Sequence, residues 1–332
     1  MTRVIAVTSG KGGVGKSNFV LNVGISLAMM EQNVLLLDAD LGLANLDVLL
    51  GVRPNKTLED VVVGMAQLSE IIIGTDYQVD LIPGSSGTQD MADLSKEQIG
   101  ALITGIGEGY GDADFLLVDT AAGISNMVIS FLLAVPEVIV AVGPEPTSLT
   151  DAYALIKVLK HNNYQGRISM FASMVKNSTA GHNLYRKISS ATQRFLDTQV
   201  EYLGSVYRDE KLSRAVSDQV PAIVRYPTSD ISRCYRMVAL TMLAQKSVGV
   251  DYEKFWTRLI AMIMKMGKPR VMKEVAFNGS GKGDMAAGSS LERTVHELLD
   301  EQRKTRILLE RLISNIEKQG PGANLFKKGF SA

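Results

Sequence analysis

Cysteine is almost missing from this chain of 332 residues: there is one, Cys234. A single thiol makes no internal disulfide, so nothing in the sequence asks for an oxidising compartment. The three histidines are scattered without metal-ligand spacing, and no metal centre is read from them. Net charge is lacking too. Lys+Arg and Asp+Glu both number 35, so no global field draws the protein onto nucleic acid, although a local basic patch is not excluded. No apolar run approaches the roughly 20 residues that span a bilayer. The N-terminus runs straight into the strand-like "RVIAVT", without the basic, apolar and small-residue regions of a secretory signal. The expectation from these absences is a cytoplasmic protein.

What is present is apolar. Hydrophobic residues make up 46% of the chain, enough for a large core, in one domain with appendages or in two. Short apolar runs alternate with amphipathic stretches over the first 250 residues. Strands are expected at Val4–Thr8, Val34–Asp38, Val79–Ile82, Phe115–Asp119, Val138–Val142, Ile168–Ser173 and Tyr202–Val206. Nearly all are apolar on both faces, as in a parallel sheet covered on both sides. Helices fit between them at Lys16–Met30, Thr57–Met65, Lys96–Ile106, Ser125–Ala134, Ser148–Asn162, Ala180–Thr198 and Tyr226–Val248. The reading is an α/β fold with a doubly wound, mostly parallel sheet and a C-terminal helical extension. Its expected segments are a domain over 1–249, an amphipathic helix over 250–268, a flexible linker over 269–289, and a helix with a disordered tail over 290–332. The linker is read from "NGSGKGDMAAGSS". No internal repeat is visible.

In such sheets ligands lie beyond the carboxyl ends of the strands. "SGKGGVGKS" falls there, after the first strand and opening a helix. It holds the phosphate-loop pattern Gly-x-x-x-x-Gly-Lys-Ser. Gly10, Lys11, Gly12, Gly13, Val14, Gly15, Lys16, Ser17 and Asn18 would form the cradle, with backbone N–H groups and the helix N-terminus facing phosphate. Lys16 would reach the β- and γ-phosphates, and the Ser17 hydroxyl would ligate Mg²⁺. A turn alone would also explain the glycines, but carboxylates stand where the metal needs them. "LLLDADLGLANLD" carries Asp38 and Asp40 at the end of the second strand, and "FLLVDTAAG" carries Asp119 at the end of another. Asp38 and Asp119 would hold the Mg²⁺ shell, directly or through water. Asp40 could orient the attacking water, and Gly123 would let its segment respond to the γ-phosphate. The remaining lysine, Lys11, is either an exposed loop residue or a cation supplied to a partner's site.

Together "KGGVGKS", "DADLGLANLD" and "DTAAG" resemble the deviant phosphate-loop ATPases of the MinD/ParA group, with the MinD-like phosphate-loop NTPase fold. The resemblance implies ATP and Mg²⁺ as ligands, and an ATP-sandwiched homodimer in which Lys11 acts in trans. "LGLANLDVLLG", "SSGTQDMADLS" and "EPTSLTDAYALIK" look like the flagellar-number regulators of the FlhG/FleN branch. The likeness covers about residues 1–265. Cys234 alone does not supply the interface cysteines of iron–sulfur relatives, and no tyrosine follows Tyr252, unlike the bacterial tyrosine kinases that share the loop. Two positions depart from the group. Ser173 stands where an asparagine usually meets adenine, and "VYRDE" has Tyr207 in place of proline, followed by Arg208 and the acidic Asp209. The activator motif that often precedes the first strand in that branch is not expected here, so stimulation of the flagellar GTPase FlhF is not carried over. FlhF, a transcriptional regulator and basal-body proteins are the implied classes of partner. DNA binding marks the rival reading, a partition ATPase. A third reading is a nucleotide-binding scaffold without turnover.

"YEKFWTRLIAMIMKMGK" places Tyr252, Phe255, Trp256, Leu259, Ile260 and Ile263 on one helical face bordered by Lys254, Arg258, Lys265 and Lys268. Phe255, Trp256, Leu259, Ile260 and Ile263 would enter a membrane interface reversibly, and the resemblance implies that this is the inner face of the cytoplasmic membrane, at the cell pole. The alternative is a helix packed on the domain, and the two states could alternate. Leu291–Lys318 has a heptad-like pattern, read either as an association helix or as a solvated one.

Overall fold

The apolar runs come together in the computed structural model as one eight-stranded sheet with a hydrophobic cluster on each face. The structure describes residues 2–40, 45–62, 65–84 and 113–246, with positions 255 and 258. The chain divides into two units, Met1–Val275 and Ala276–Ala332, and every described residue belongs to the first. The expected helix at Lys96–Ile106, the linker and the terminal helix lie outside the described residues.

The strands are β1 (Arg3–Thr8), β2 (Val34–Ala39), β3 (Ile73–Gly74), β4 (Val79–Ile82), β5 (Phe115–Thr120), β6 (Glu137–Val142), β7 (Arg167–Val175) and β8 (Glu201–Tyr207). Their order across the sheet is β3-β4-β2-β5-β1-β6-β7-β8. All neighbours run parallel except β3, which pairs antiparallel with β4. Each expected strand is present within two residues of its expected ends. β3, with only two residues, has no sequence signature.

The helices are α1 (Lys16–Ala28), α2 (Leu46–Leu50), α3 (Leu58–Val62), α4 (Leu68–Ile71), α5 (Asn126–Ala134), α6 (Pro146–His161), α7 (Ser178–Leu196), α8 (Glu210–Ser217), α9 (Ala222–Arg225) and α10 (Asp230–Ala244). α2, α4, α8 and α9 were not expected, because helices this short do not fill the window over which a 3.6-residue period can be read. α10 begins four residues later than the pattern suggests. Its start is fixed by Ser229, whose hydroxyl accepts from the Ser232 N–H, after Pro227. α1, α9 and α10 cover one face, with the Phe19 and Phe171 rings stacked at 3.8 Å between α1 and β7. α5, α6 and α7 cover the other.

At the amino ends of the strands a buried ion cluster closes the sheet. Arg3 on β1 gives two hydrogen bonds to Glu137 on β6, at 2.7 and 2.8 Å, and Arg167 on β7 adds a third at 3.2 Å. The same arginines hold the end of α10. Arg3 donates to the Met242 carbonyl and at 2.8 Å to Gln245, and Arg167 donates at 2.8 Å to the Lys246 carbonyl. Carbonyls left unpaired at a helix C-terminus thus meet cations that suit the helix dipole.

Candidate functional site

The loop between β1 and α1 is built to leave amides uncovered. Gly15 is the N-cap of α1, left-handed at φ 84°, and no side chain caps the helix. A side chain there would be strained, and the first N–H groups of α1 remain available to an anion. The loop is braced from four sides. The Ser9 hydroxyl donates to the Lys11 carbonyl at 2.6 Å, and the Gly123 N–H donates to the Ser9 carbonyl at 2.8 Å. The Ser173 hydroxyl donates to the Val14 carbonyl at 2.6 Å. Gly10 lies so close to α6 that a Cβ on it would meet the Asp151 backbone at 2.4 Å. Lys11, Gly12 and Gly13 are exposed, with Gly13 at φ 76°, whereas Val14 and Lys16 are buried. Ser17 and Asn18 are half-buried, and the Asn18 carbonyl accepts from Asn22.

Strand order assembles the acidic side of the site. Asp119 is in register with Val7 on one neighbour and with Asp38 on the other. Strand spacing alone therefore sets the two carboxylate-bearing positions about 5 Å apart. Asp38 accepts from the N–H groups of Asn45 at 2.8 Å and Leu46 at 3.0 Å through one oxygen, and of Asp40 at 3.1 Å through the other. It thus ties both Asp40 and the start of α2 to the sheet. Burial raises its carboxyl to about 6 despite these bonds. Asp119 is raised to about 7, by burial first, with the nearby Asp38 charge adding and Ser17 and Lys16 opposing. Among the described residues neither of its buried oxygens has a hydrogen-bond partner of ordinary geometry. Lys16, 8% exposed, has its ammonium disfavoured by burial and held charged by Asp119 and Asp40.

Two orphaned carboxylate oxygens beside a serine hydroxyl fit a magnesium ion. Among the described residues no three acidic, histidine or cysteine side chains form a ready cage. That suits Mg²⁺, which keeps waters and arrives with substrate phosphates rather than occupying an all-protein site. Ser17 and Asp119 would hold it, with Asp38 behind them.

Both aspartates bind a proton more tightly folded than unfolded, since 3.8 becomes about 6 and about 7. Their contribution to stability is full at low pH and is lost as pH rises through those values. The nucleotide-free protein should therefore melt roughly 5 °C lower at pH 8 than at pH 6. Differential scanning calorimetry of wild type and Asp119→Asn checks this: the variant should show the smaller pH dependence.

On the far side of the loop the structure redefines two positions. Ser173 is buried, with its hydroxyl committed to the loop rather than open to a base. Asp209 is the N-cap of α8 and accepts from the Lys211 N–H at 2.8 Å, while the exposed Arg208 gives its N–H to the Val175 carbonyl. Phe255, expected on a membrane-facing stripe, is fully buried in the cluster under α5, α6 and α7. That position belongs to the domain core. Trp256, Leu259, Ile260 and Ile263 lie outside the described residues. Sequence reading missed Asp151 against Gly10, and the buried Thr8 hydroxyl at the head of the loop, which has no partner among the described residues. "EPTSLTDAYALIK" had marked the first region without revealing the contact.

A doubly wound parallel sheet, a phosphate loop on its central strand and acidic strand ends on one side define a phosphate-loop NTPase. The ParA family model described as "NUBPL iron-transfer P-loop NTPase" matches residues 1–243. The chain belongs to the ParA/MinD family of ATPases, with ATP and Mg²⁺ as ligands. It is 44% identical over 237 residues to the antiactivator FleN of Pseudomonas aeruginosa, covering 71% of this chain and 85% of that one. It is 36% identical to the flagellum site-determining protein YlxH of Helicobacter pylori, over 66% and 74% of the two chains. The cell-division ATPase MinD of Pyrococcus furiosus superposes with a TM-score of 0.61 at 25% identity, over 73% of this chain and 99% of that one. MinD of Pyrococcus horikoshii, solved with Mg-ADP, gives 0.58 at 29% identity, over 72% and 95%. Among the described residues no helix is long and apolar enough to cross a membrane.

Proposed function

We propose that this chain is an ATP-driven switch that regulates the number and placement of flagella. Without ATP it is a monomer with Phe255 held in the domain core. With ATP two copies close face to face, each Lys11 enters the other's site, and the dimer attaches to the inner face of the cytoplasmic membrane. The observation that carries the reading is the contrast between the two lysines. Lys16 is buried against its own acidic cluster, while Lys11 is exposed on the same loop. A loop that already has its phosphate cation has no use in cis for a second pointing at solvent, and a cation supplied in trans stabilises charge developing in phosphoryl transfer. The two flagellar relatives support the choice of cargo.

In hydrolysis the water oxygen bonds to the γ-phosphorus as the bond to the β–γ bridging oxygen breaks, and ADP leaves. Asp40, half-buried at the mouth of the site and tied to Asp38 through its N–H, orients that water. Lys16 and the α1 amides hold the phosphates, and Lys11 meets the charge that builds on them. Bound Mg²⁺ would neutralise the β- and γ-oxygens.

Size-exclusion chromatography and sedimentation with anionic vesicles test the switch on one set of proteins. ATP should dimerise wild type and carry it into the vesicle pellet, and Asp40→Ala should remain dimeric because turnover is blocked. Lys11→Ala should stay monomeric and soluble, while Trp256→Glu should dimerise without pelleting. Wild type that stays monomeric with every nucleotide would refute the switch. Pelleting unchanged by Trp256→Glu would refute the membrane step alone. DNA-dependent sedimentation in place of vesicle binding would favour the partition reading.

A further inference from the structure

Charge is balanced over the whole chain but not over its outer helices. Lys56 pairs with Glu70, Arg214 with Glu210, Arg225 with Asp218 and Arg233 with Asp230. α6 and α7, side by side over one face of the sheet, are different. α7 has no acidic residue along its length, and α6 has only Asp151, which stands against Gly10 at the phosphate-loop end. Against that single acid the two helices carry Lys157, Lys160, Arg186, Lys187 and Arg194. Lys160, Arg186, Lys187 and Arg194 are exposed. Among the described residues Lys157, Lys160, Arg186 and Lys187 make no ion pair. The helix dipole accounts for Lys160 and Arg194, which lie in last turns. It does not account for Arg186 and Lys187 in the middle of α7.

The same region carries an apolar group. Phe195, at the end of α7, is 47% exposed, and the Arg194 guanidinium lies 5.3 Å from its ring centroid. The Lys160 ammonium donates to the Asp197 carbonyl at 3.4 Å, so the C-terminal ends of α6 and α7 meet. Positions 255 and 258 come to that end. Phe255 is buried in the cluster that holds Leu159 and Leu196. In the turn after α6 the Tyr164 hydroxyl is pushed up by burial first and then by the Glu137 charge, and the Arg258 charge opposes both. The exposed Arg258 therefore stands near the end of α6. Two positions of the stretch read as membrane-seeking thus adjoin a basic surface with a half-exposed ring.

We propose that the outer face of α7 and the adjoining end of α6 form a second membrane contact, in which Lys160, Arg186 and Lys187 meet anionic lipid headgroups and Phe195 enters the interface. The proposal rests on the reading of the chain as a membrane-attached switch and gives that switch a lipid preference. Each basic residue near an anionic surface strengthens attachment about fivefold. A dimer presents the patch twice, and the two attachments reinforce each other. A DNA duplex would use the cations, but its phosphate contacts are electrostatic and have no use for the ring.

Sedimentation of the full chain with ATP and Mg²⁺ tests it, on vesicles of phosphatidylcholine alone and of an equimolar mixture with phosphatidylglycerol. Wild type should prefer the anionic vesicles. Arg186→Gln with Lys187→Gln should reduce that preference about tenfold or more and make binding less sensitive to salt. The double variant should still dimerise with ATP in size-exclusion chromatography. Phe195→Gln should weaken attachment to both vesicles about tenfold and leave their ratio unchanged. An undiminished anionic preference in the double variant would overturn the proposal, and so would loss of its dimer, which would place the pair in the subunit interface. A duplex gel shift that the double variant abolishes, with vesicle binding intact, would make the patch a nucleic-acid surface and overturn the proposal as well. Wild type that pellets with neither vesicle would overturn the membrane step itself, which separates that failure from a failure of the patch.

Discussion

Lys16→Ala abolishes ATP turnover, with an expected fall of about 10³-fold or more, and weakens nucleotide binding in parallel. The lysine lies at the first turn of α1, almost wholly buried, with Asp119 and Asp40 as its counter-charges. Its loss would remove the cation proposed to meet the β- and γ-phosphates. It also leaves three acidic groups facing a polyanionic substrate with less compensation. The Asp119 carboxyl, already raised to about 7, loses the Lys16 charge that opposes the shift and should rise further. A phosphate-release assay with magnesium, paired with equilibrium binding, checks both effects. Lys16→Arg distinguishes charge from shape: the wider guanidinium does not fit the buried slot, and little activity should return. Hydrolysis within tenfold of wild type in Lys16→Ala would show that the loop does not carry the chemistry.

Glu137→Gln should destabilise the fold by about 3–5 kcal/mol, because it leaves buried guanidinium charge without its partner. For a domain of this size that is a fall in melting temperature of roughly 10 °C. Arg3 and Glu137 are each only 4% exposed, and Arg167 shares the same carboxylate. The cluster lies at the amino ends of the strands, while the nucleotide loop lies at their carboxyl ends. Nucleotide affinity measured well below the melting temperature should therefore change little. Chemical denaturation reads the loss directly. Replacing Arg3 by Met together with Glu137 by Leu should cost less than the two single changes added, since the apolar pair leaves fewer charges buried without a partner. A Glu137→Gln variant as stable as wild type would mean that the arginines are neutralised by other means.

The strands, the phosphate loop and the three aspartates at strand ends could be read in advance because each is written locally. Both-face apolar runs of six residues mark covered parallel strands, and "GKGGVGKS" marks an anion-binding turn wherever it follows one. Short helices such as α2 escaped because five residues carry no period, yet α2 matters to the site: its first N–H groups are what Asp38 holds.

The sequence by itself determined the class of chemistry. The loop amides, Lys16 and Ser17 stand in one continuous segment, and a segment's local conformation is encoded in its own residues. Only the tertiary structure decided how distant segments meet. The order β2-β5-β1 put Asp38 beside Asp119 across 81 positions, as their numbers in the chain show. The packing of α6 put Asp151 against Gly10, the end of β7 turned the Ser173 hydroxyl onto the loop, and the core took in Phe255. These contacts depend on crossovers and strand order, which come from the burial of whole faces rather than from any pattern within a segment. That is why a serine that stands at a base-reading position in the sequence is a brace for the phosphate loop in the fold.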